Sequence, residues 1–256
     1  MQMSDSFDAN QLAALYVAAH KSHVPVEANA IGAGPQSFAD VYAVQSAVMR
    51  EIGPNGGFKT ARPDPTRPNV YAPIVAANVR PSPARVAGDE MRCVGIEIEI
   101  AFRIDSALPA LASADYDAQL RRAVSAVAAI ELVDTRLADW QGAGDMVKLA
   151  DNQSGFGLIV GEPVKDFAAL NLVNPTISLT VDNAQIGATA GQIPGDVDAF
   201  QVLKDLLEVV GDHCGGVRPG MYVTTGALSG LHWADKGGEV AGDVAGLGRI
   251  SVEISG

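Results

Sequence analysis

The chain has 256 residues, 48% hydrophobic and 19% charged, with a formal charge of −12. That length holds one large domain, or one domain with a small appendage. The acidic balance offers no basic patch for nucleic-acid phosphates and disfavours anionic membrane surfaces, and no apolar run approaches the roughly 18 residues of a membrane span.

The opening Met1-Gln2-Met3-Ser4-Asp5 lacks the basic and apolar regions of a signal peptide. Leu12, Leu15, Tyr16 and Ala19 then recur at helical spacing. After the loop Gly32-Ala33-Gly34-Pro35, a second helix is predicted from Ser37, whose hydroxyl pairs with Asp40 in a capping-box pattern. Val41, Val44, Val48 and Ile52 line its apolar face, and Gly53-Pro54 ends it. Gly56-Gly57-Phe58-Lys59-Thr60 leads into a proline-rich stretch from Pro63 to Pro83. Five prolines between residues 63 and 81 exclude regular central strands there, so the stretch reads as an extended connection.

From about residue 86 the pattern is mostly β. Strands are predicted at 94–104, 129–134, 156–161, 176–182, 221–225 and 249–254. One helix is predicted over 115–128 from Tyr116, Leu120, Val124 and Val127. Another spans 197–210 on Phe200, Leu203, Leu207 and Val210, with Asp196 as its cap. Short strands with glycine turns and few helices indicate an α+β chain, mostly a rolled sheet or barrel. The expected division is a helical region with its connection over 1–85 and a β-roll catalytic domain over 86–256. Cys93 and Cys214 have no metal-motif spacing and read as small core residues of a protein in the reducing cytoplasm.

The most informative segment is Val94-Gly95-Ile96-Glu97-Ile98-Glu99-Ile100. Alternation puts Glu97 and Glu99 on one strand face, roughly 6–7 Å apart, and the isoleucines on the other. By itself this is also an ordinary half-exposed strand with solvated glutamates. Glu131 changes the balance, because it stands in the apolar segment Ala126–Val133, where a lone carboxylate is costly without a partner. Three carboxylates sharing one hard cation would turn repulsion into coordination, and oxygen ligands suit Mg²⁺, Mn²⁺ or Ca²⁺ rather than Zn²⁺.

Gly95–Phe102, Ala129-Ile130-Glu131-Leu132-Val133-Asp134-Thr135-Arg136, Asp139-Trp140 and Ala150-Asp151-Asn152-Gln153-Ser154 resemble the 2-keto-4-pentenoate hydratase family. That family lies within the fumarylacetoacetate hydrolase superfamily and includes oxalocrotonate decarboxylases. Asp40–Gln45 and Gly220–Gly226 extend the likeness, whose order holds from about residue 40 to the C-terminus. The resemblance implies the superfamily's C-terminal β-roll, an assembly of several identical chains, and Mg²⁺ or Mn²⁺ on Glu97, Glu99 and Glu131. It also implies a small 2-oxo or 2-hydroxy acid as partner, in the catabolism of aromatic rings. Lys59, at the family's Gly-aromatic-Lys position, is implied as an acid/base or carboxylate-binding group, with Thr60 beside it; a partly dry pocket would lower the lysine's pKa.

The 149–155 loop is equally a turn by composition. The likeness places it at the pocket border, with Asp151 as a catalytic or supporting group and Ser154 as a polar contact. Lys148 is assigned to substrate or to a metal-site carboxylate, and Trp140 to packing. The hydroxyls and N–H groups of Thr224 and Thr225 are placed to hold a carboxylate, although a plain strand end reads the same way. The chain departs from the family after Lys59, where Asn69-Val70-Tyr71 stands in place of an acidic residue. No histidine falls between residues 24 and 212, which disfavours the superfamily's C–C hydrolysis. The implied activity is a hydratase. The alternatives are a vinylogous decarboxylase, with Arg62, Arg67 or Lys148 meeting a second carboxylate, and a non-catalytic binding paralogue.

Overall fold

The computed structural model describes residues 7–61, 69–234 and 237–255. Helices α1 (Ala9–Ser22), α2 (Ala28–Ile31) and α3 (Phe38–Ile52) open the chain. Asp8 caps α1 by accepting from the Asn10 N–H at 2.8 Å. Ser37 and Asp40 form the expected capping box on α3, and Gly53 closes that helix at φ +133°.

The strands are β1 (Asn55–Ala61), β2 (Val70–Val75), β3 (Val79–Pro81), β4 (Ala84–Ala87), β5 (Val94–Ile104), β6 (Val124–Val133), β7 (Gly155–Val160), β8 (Ile177–Val181), β9 (Ala184–Gln185), β10 (Tyr222–Ala227), β11 (His232–Ala234), β12 (Gly238–Val244) and β13 (Gly248–Ser255). Between them run α4 (Tyr116–Ala123), α5 (Asp145–Ala150) and α6 (Ala199–Val209). Among the described residues the strands make two sheets. The larger runs β2-β1-β10-β5-β6-β7-β3, with β11 also paired to β5; the smaller runs β4-β13-β12-β8-β9. The ends of the larger sheet, β2 and β3, are not paired to each other, so the sheet is rolled rather than a closed barrel.

Within the stretch from Pro63 to Pro83, which the sequence suggested was an extended connection, β2 and β3 join the larger sheet, and β1 joins it just before that stretch. The proline argument holds in part: β2, which carries Pro73, is an edge strand. The helix predicted over 115–128 stops at Ala123, and Val124–Ala128 belong to β6. β6 is buried along its whole length. A strand covered on both faces shows no alternation, and its apolar run imitates a helix face. The cap of α6 is Asp198, which accepts from Phe200 N–H at 2.7 Å, rather than Asp196. Cys93 and Cys214 are half-buried and unpaired to each other, not core residues.

Among the described residues, the two largest of three hydrophobic clusters organise the chain. Ile96, Ile98 and Ile100 of β5 are fully buried between the two sheets, in a cluster with Leu179, Val240 and Ile250. Burying each contributes roughly 1.5–3 kcal/mol. A one-residue slip would put Glu97 and Glu99 into that cluster instead, so the isoleucines fix the register of the glutamates. Ile98 packs so closely on β12 that a Cβ at Gly242 would sit 2.9 Å from its Cδ1. A second, smaller core joins α1 and α3 to Leu137, Leu149 and Ala150. No helix among the described residues is long and apolar enough to cross a membrane.

Candidate metal centre and adjoining cavity

In the antiparallel pair β5–β6, Glu97 stands directly opposite Glu131, and Glu99 lies two residues further along the same face. Each glutamate offers an oxygen, and these oxygens lie within 4.8 Å of one another. Glu131 and Glu99 are 1% and 2% exposed. A bulge where β10 meets β5, between Thr224 and Ala227, turns two backbone N–H groups inward. Thr225 N–H and Gly226 N–H donate to Glu99 Oε2 at 3.0 and 2.8 Å. Gly226 has φ +104° there, a conformation suited to glycine.

Lys59 enters from β1. Its ammonium donates to Glu131 Oε1 and, at 3.1 Å, to the Gln153 carbonyl. Burial pulls the Lys59 pKa down, but Glu131, Glu97 and Glu99 outweigh it and hold the group above its ordinary value. With no cation among them, the three carboxylates hold Lys59 as an ammonium. Burial likewise raises the Glu97 carboxyl to about 7, and pushes Glu99 well above its usual range with help from the neighbouring charges.

Three carboxylates facing one ammonium leave a formal −2 (three minus one) in a site of low exposure. Uncompensated buried charge is expensive, and an all-oxygen donor set matches a hard divalent cation. The residues therefore fit the cation that the sequence implied.

The 151–154 turn is built to present Gln153 to Lys59. Asn152, Gln153 and Ser154 are successive left-handed residues at φ +44°, +51° and +56°. Arg136 holds them: its Nε donates to Asp151 Oδ1 at 2.5 Å, and its Nη2 to the Asp151 carbonyl at 2.6 Å. Thr135 Oγ1 and Arg136 N–H donate to the other Asp151 oxygen at 3.1 and 3.0 Å. Both oxygens of Asp151 are thus engaged, and the residue does not line the cavity beside the glutamates. Of the two roles the sequence left open for Asp151, catalytic or supporting, its contacts are those of a residue that anchors the turn.

A cavity of about 850 Å³ opens over the site. Lys59, Thr60, Glu97, Glu99, Lys148, Gln153 and Ser154 all line it. Thr60 Oγ1 is buried without a hydrogen-bond partner. Ser154 Oγ accepts from Trp140 Nε1 at 3.1 Å, and the Lys148 ammonium lies 4.8 Å from the Trp140 ring centroid. Thr225 is not brought to the cavity: its hydroxyl donates to the Ile100 carbonyl at 2.8 Å, while its backbone serves Glu99. Thr224 Oγ1 donates to Glu131 Oε2 at 3.5 Å. Arg62 and Arg67 lie outside the described residues. Where an acidic counterpart was sought after Lys59, Asn69 donates to Asp205 at 3.3 Å, and Val70 faces the cavity.

Sequence reasoning missed Gln153, whose signal was its place inside the 150–154 motif. It also missed the apolar wall. Trp140, read as packing, lines the cavity together with Phe38, Met146, Val147 and Leu231. Nothing in an apolar helix face says which of its residues line a cavity.

No family model matches the chain. Among solved structures, 4-oxalocrotonate decarboxylase from Pseudomonas putida G7, complexed with magnesium and adipate, superposes with TM-score 0.78 at 18% identity; the match covers 96% of this chain and 97% of that one. Fumarylpyruvate hydrolase from Pseudomonas aeruginosa, in complex with Mn²⁺ and pyruvate, matches at TM-score 0.53 and 19% identity, over 77% and 88%. The 2-hydroxyhepta-2,4-diene-1,7-dioate isomerase from Mycobacterium marinum matches at 0.56 and 13%, over 80% and 76%. The chain thus shares its fold with these enzymes, as the resemblance of its motifs implied. The likeness to the decarboxylase spans nearly the whole of both chains.

Proposed function

We propose that this chain is a divalent-metal-dependent lyase that hydrates a small 2-hydroxy-2,4-dienoate, through its 2-oxo-enoate tautomer, to a 4-hydroxy-2-oxo acid. The observation that carries the reading is the convergence of Glu97, Glu99 and Glu131 beside Lys59 on a largely apolar cavity. Mg²⁺ or Mn²⁺ held by the three glutamates would supply positive charge against a carboxylate and the adjacent 2-oxo oxygen. Lys59, anchored by Glu131 and the Gln153 carbonyl, would present its ammonium to the substrate's oxygen end. Thr60 Oγ1, buried and unpartnered, is left to donate to the same end. In the reaction the enol proton leaves the 2-oxygen and a proton reaches C5; water then gives hydroxyl to C4 and a proton to C3. The apolar wall limits bulk water to the reacting face. No histidine lines the cavity among the described residues, which supports a lyase over the hydrolases of this fold.

One observation favours a second reading, decarboxylation of an oxalocrotonate-type diacid: Lys148 puts a second cation on the cavity wall. The full-length likeness to a decarboxylase solved with a diacid agrees with it. Mn²⁺-loaded protein given 2-hydroxypenta-2,4-dienoate is expected to bleach the diene absorbance. Carbon dioxide release from the diacid, without bleaching of the monoacid, would replace the first reading with the second. Calorimetric binding of oxalate with turnover of neither substrate would favour a binding protein over both.

A further inference from the structure

The cavity over the glutamates is much larger than a five-carbon acid requires, and its walls differ. The side formed by β1, β5 and β6 carries Lys59, Glu97 and Glu99. The lining from the start of α3, the loop before α5, α5 itself and the loop before β11 carries Phe38, Trp140, Met146, Val147 and Leu231, all of them only half-buried, with Asp145 and Lys148 as its charged members. About 850 Å³ lies in the range of sites that enclose ligands well beyond a five-carbon acid, roughly 300–1,000 Å³. Half-covered apolar side chains grouped in one concavity gain free energy when an apolar group of a ligand buries them.

The aromatic part of this wall is also fixed in place. Trp140 Nε1 is tied to Ser154 Oγ, in the turn that also gives Lys59 its carbonyl acceptor. The Trp140 ring meets Trp233 edge-on, with centroids 5.5 Å apart and planes at 74°. An indole locked by a hydrogen bond and a second ring is a preformed platform, and its distance from the acidic cluster is set by the same loop.

We infer that the substrate is a 2-oxo or 2-hydroxy-enoic acid bearing a bulky apolar substituent, aryl or branched alkyl, at the end distal to its carboxylate. The acid head faces Glu97, Glu99 and Lys59, and the substituent packs against Trp140, Val147 and Leu231. This rests on the enolate reading above and extends it to the substrate's far end.

The test is calorimetric binding of two non-reacting acids and one diacid to the full chain with Mn²⁺. The acids are pyruvate, which has the head alone, 2-oxo-4-phenylbutanoate, which adds a phenyl tail, and adipate. The phenyl acid is expected to bind at least about tenfold more tightly than pyruvate, with both losing affinity when Mn²⁺ is withheld. Val147→Trp, which fills the apolar side, and Leu231→Ala, which removes part of it, are each expected to lower the ratio of the two affinities by about fivefold or more. Taking the ratio separates loss of the tail contact from a general loss of folded protein, because pyruvate reports the head. Equal affinities for pyruvate and the phenyl acid, or adipate binding more tightly than the phenyl acid, would overturn the inference while leaving the metal-site reading intact. Binding of no oxo acid in the presence of Mn²⁺ would remove the enolate reading, and this inference with it.

Discussion

A carboxylate is assigned by its partners as much as by its motif. Asp151 sits in a segment that resembles a catalytic family, but its carboxylate accepts three hydrogen bonds, one from Thr135 and two from Arg136, and it is 2% exposed. Removing one partner of a buried ion pair leaves the other charged and unsatisfied, at a cost of about 3–5 kcal/mol. Asp151→Ala is therefore expected to lower unfolding free energy by about that much in urea titrations. The folded fraction should still bind Mn²⁺, since the three glutamates stand on β5 and β6. Normal stability with lost metal binding would mean that Asp151 belongs to the centre after all. Glu99 is the converse case: it is equally buried, but its nearest charged neighbours include two carboxylates as well as Lys59. One charge set is internally balanced and the other is not, and that contrast separates an anchor from a binding site.

At the level of elements, the site depends on strands the sequence did not announce. β1 carries Lys59, but its Asn55-Gly56-Gly57 start has none of the β-branched alternation that marks a strand. Its glycines are there for close approach. A Cβ at Gly57 would lie 2.1 Å from the Tyr222 carbonyl oxygen across the parallel β1–β10 pair. Backbone cannot yield as a flexible side chain does, so Gly57→Ala is expected to cost about 1–3 kcal/mol and to shift β1 relative to β10. Because Lys59 stands two residues further along, pyruvate affinity should fall together with the melting temperature. An unchanged melting temperature would show that the strands part without cost. β5 was legible because one of its faces is isoleucine and the other glutamate, giving a clean period of two. β6 was read as partly helical because both of its faces are buried. The cap of α6 was misplaced because Asp196 and Asp198 both precede the apolar run, and only geometry shows which carboxylate reaches an N–H. The three metal ligands were legible for a reason particular to carboxylates: burying them in an apolar run requires a compensating charge. The apolar wall had no such signature.

Across the whole molecule, all three glutamates belong to the β-roll, and the smaller helical core contributes none of them. A cation there would strengthen the large sheet and not merely bridge the two cores. The metal-free roll carries its own repulsion in a chain already at −12, with the Glu97 carboxyl raised to about 7 by burial and by Glu131. Glu99→Gln removes one of the three crowded carboxyls and keeps an amide oxygen for the Thr225 and Gly226 N–H groups. The variant is thus expected to melt a few degrees higher than the parent in EDTA, about 2–4 °C for each kcal/mol of relief. With Mn²⁺ at about a hundred times its dissociation constant, the parent should gain ~2.7 kcal/mol, or roughly 5–10 °C. The variant, short of one ligand, should gain far less, so the order of the two proteins reverses between EDTA and Mn²⁺. This crossing distinguishes a metal centre from a structural ion-pair network. In a network held by Lys59, the substitution would lower stability in both conditions and Mn²⁺ would move neither protein. Scanning calorimetry in the two buffers reads the outcome directly and requires no knowledge of the substrate.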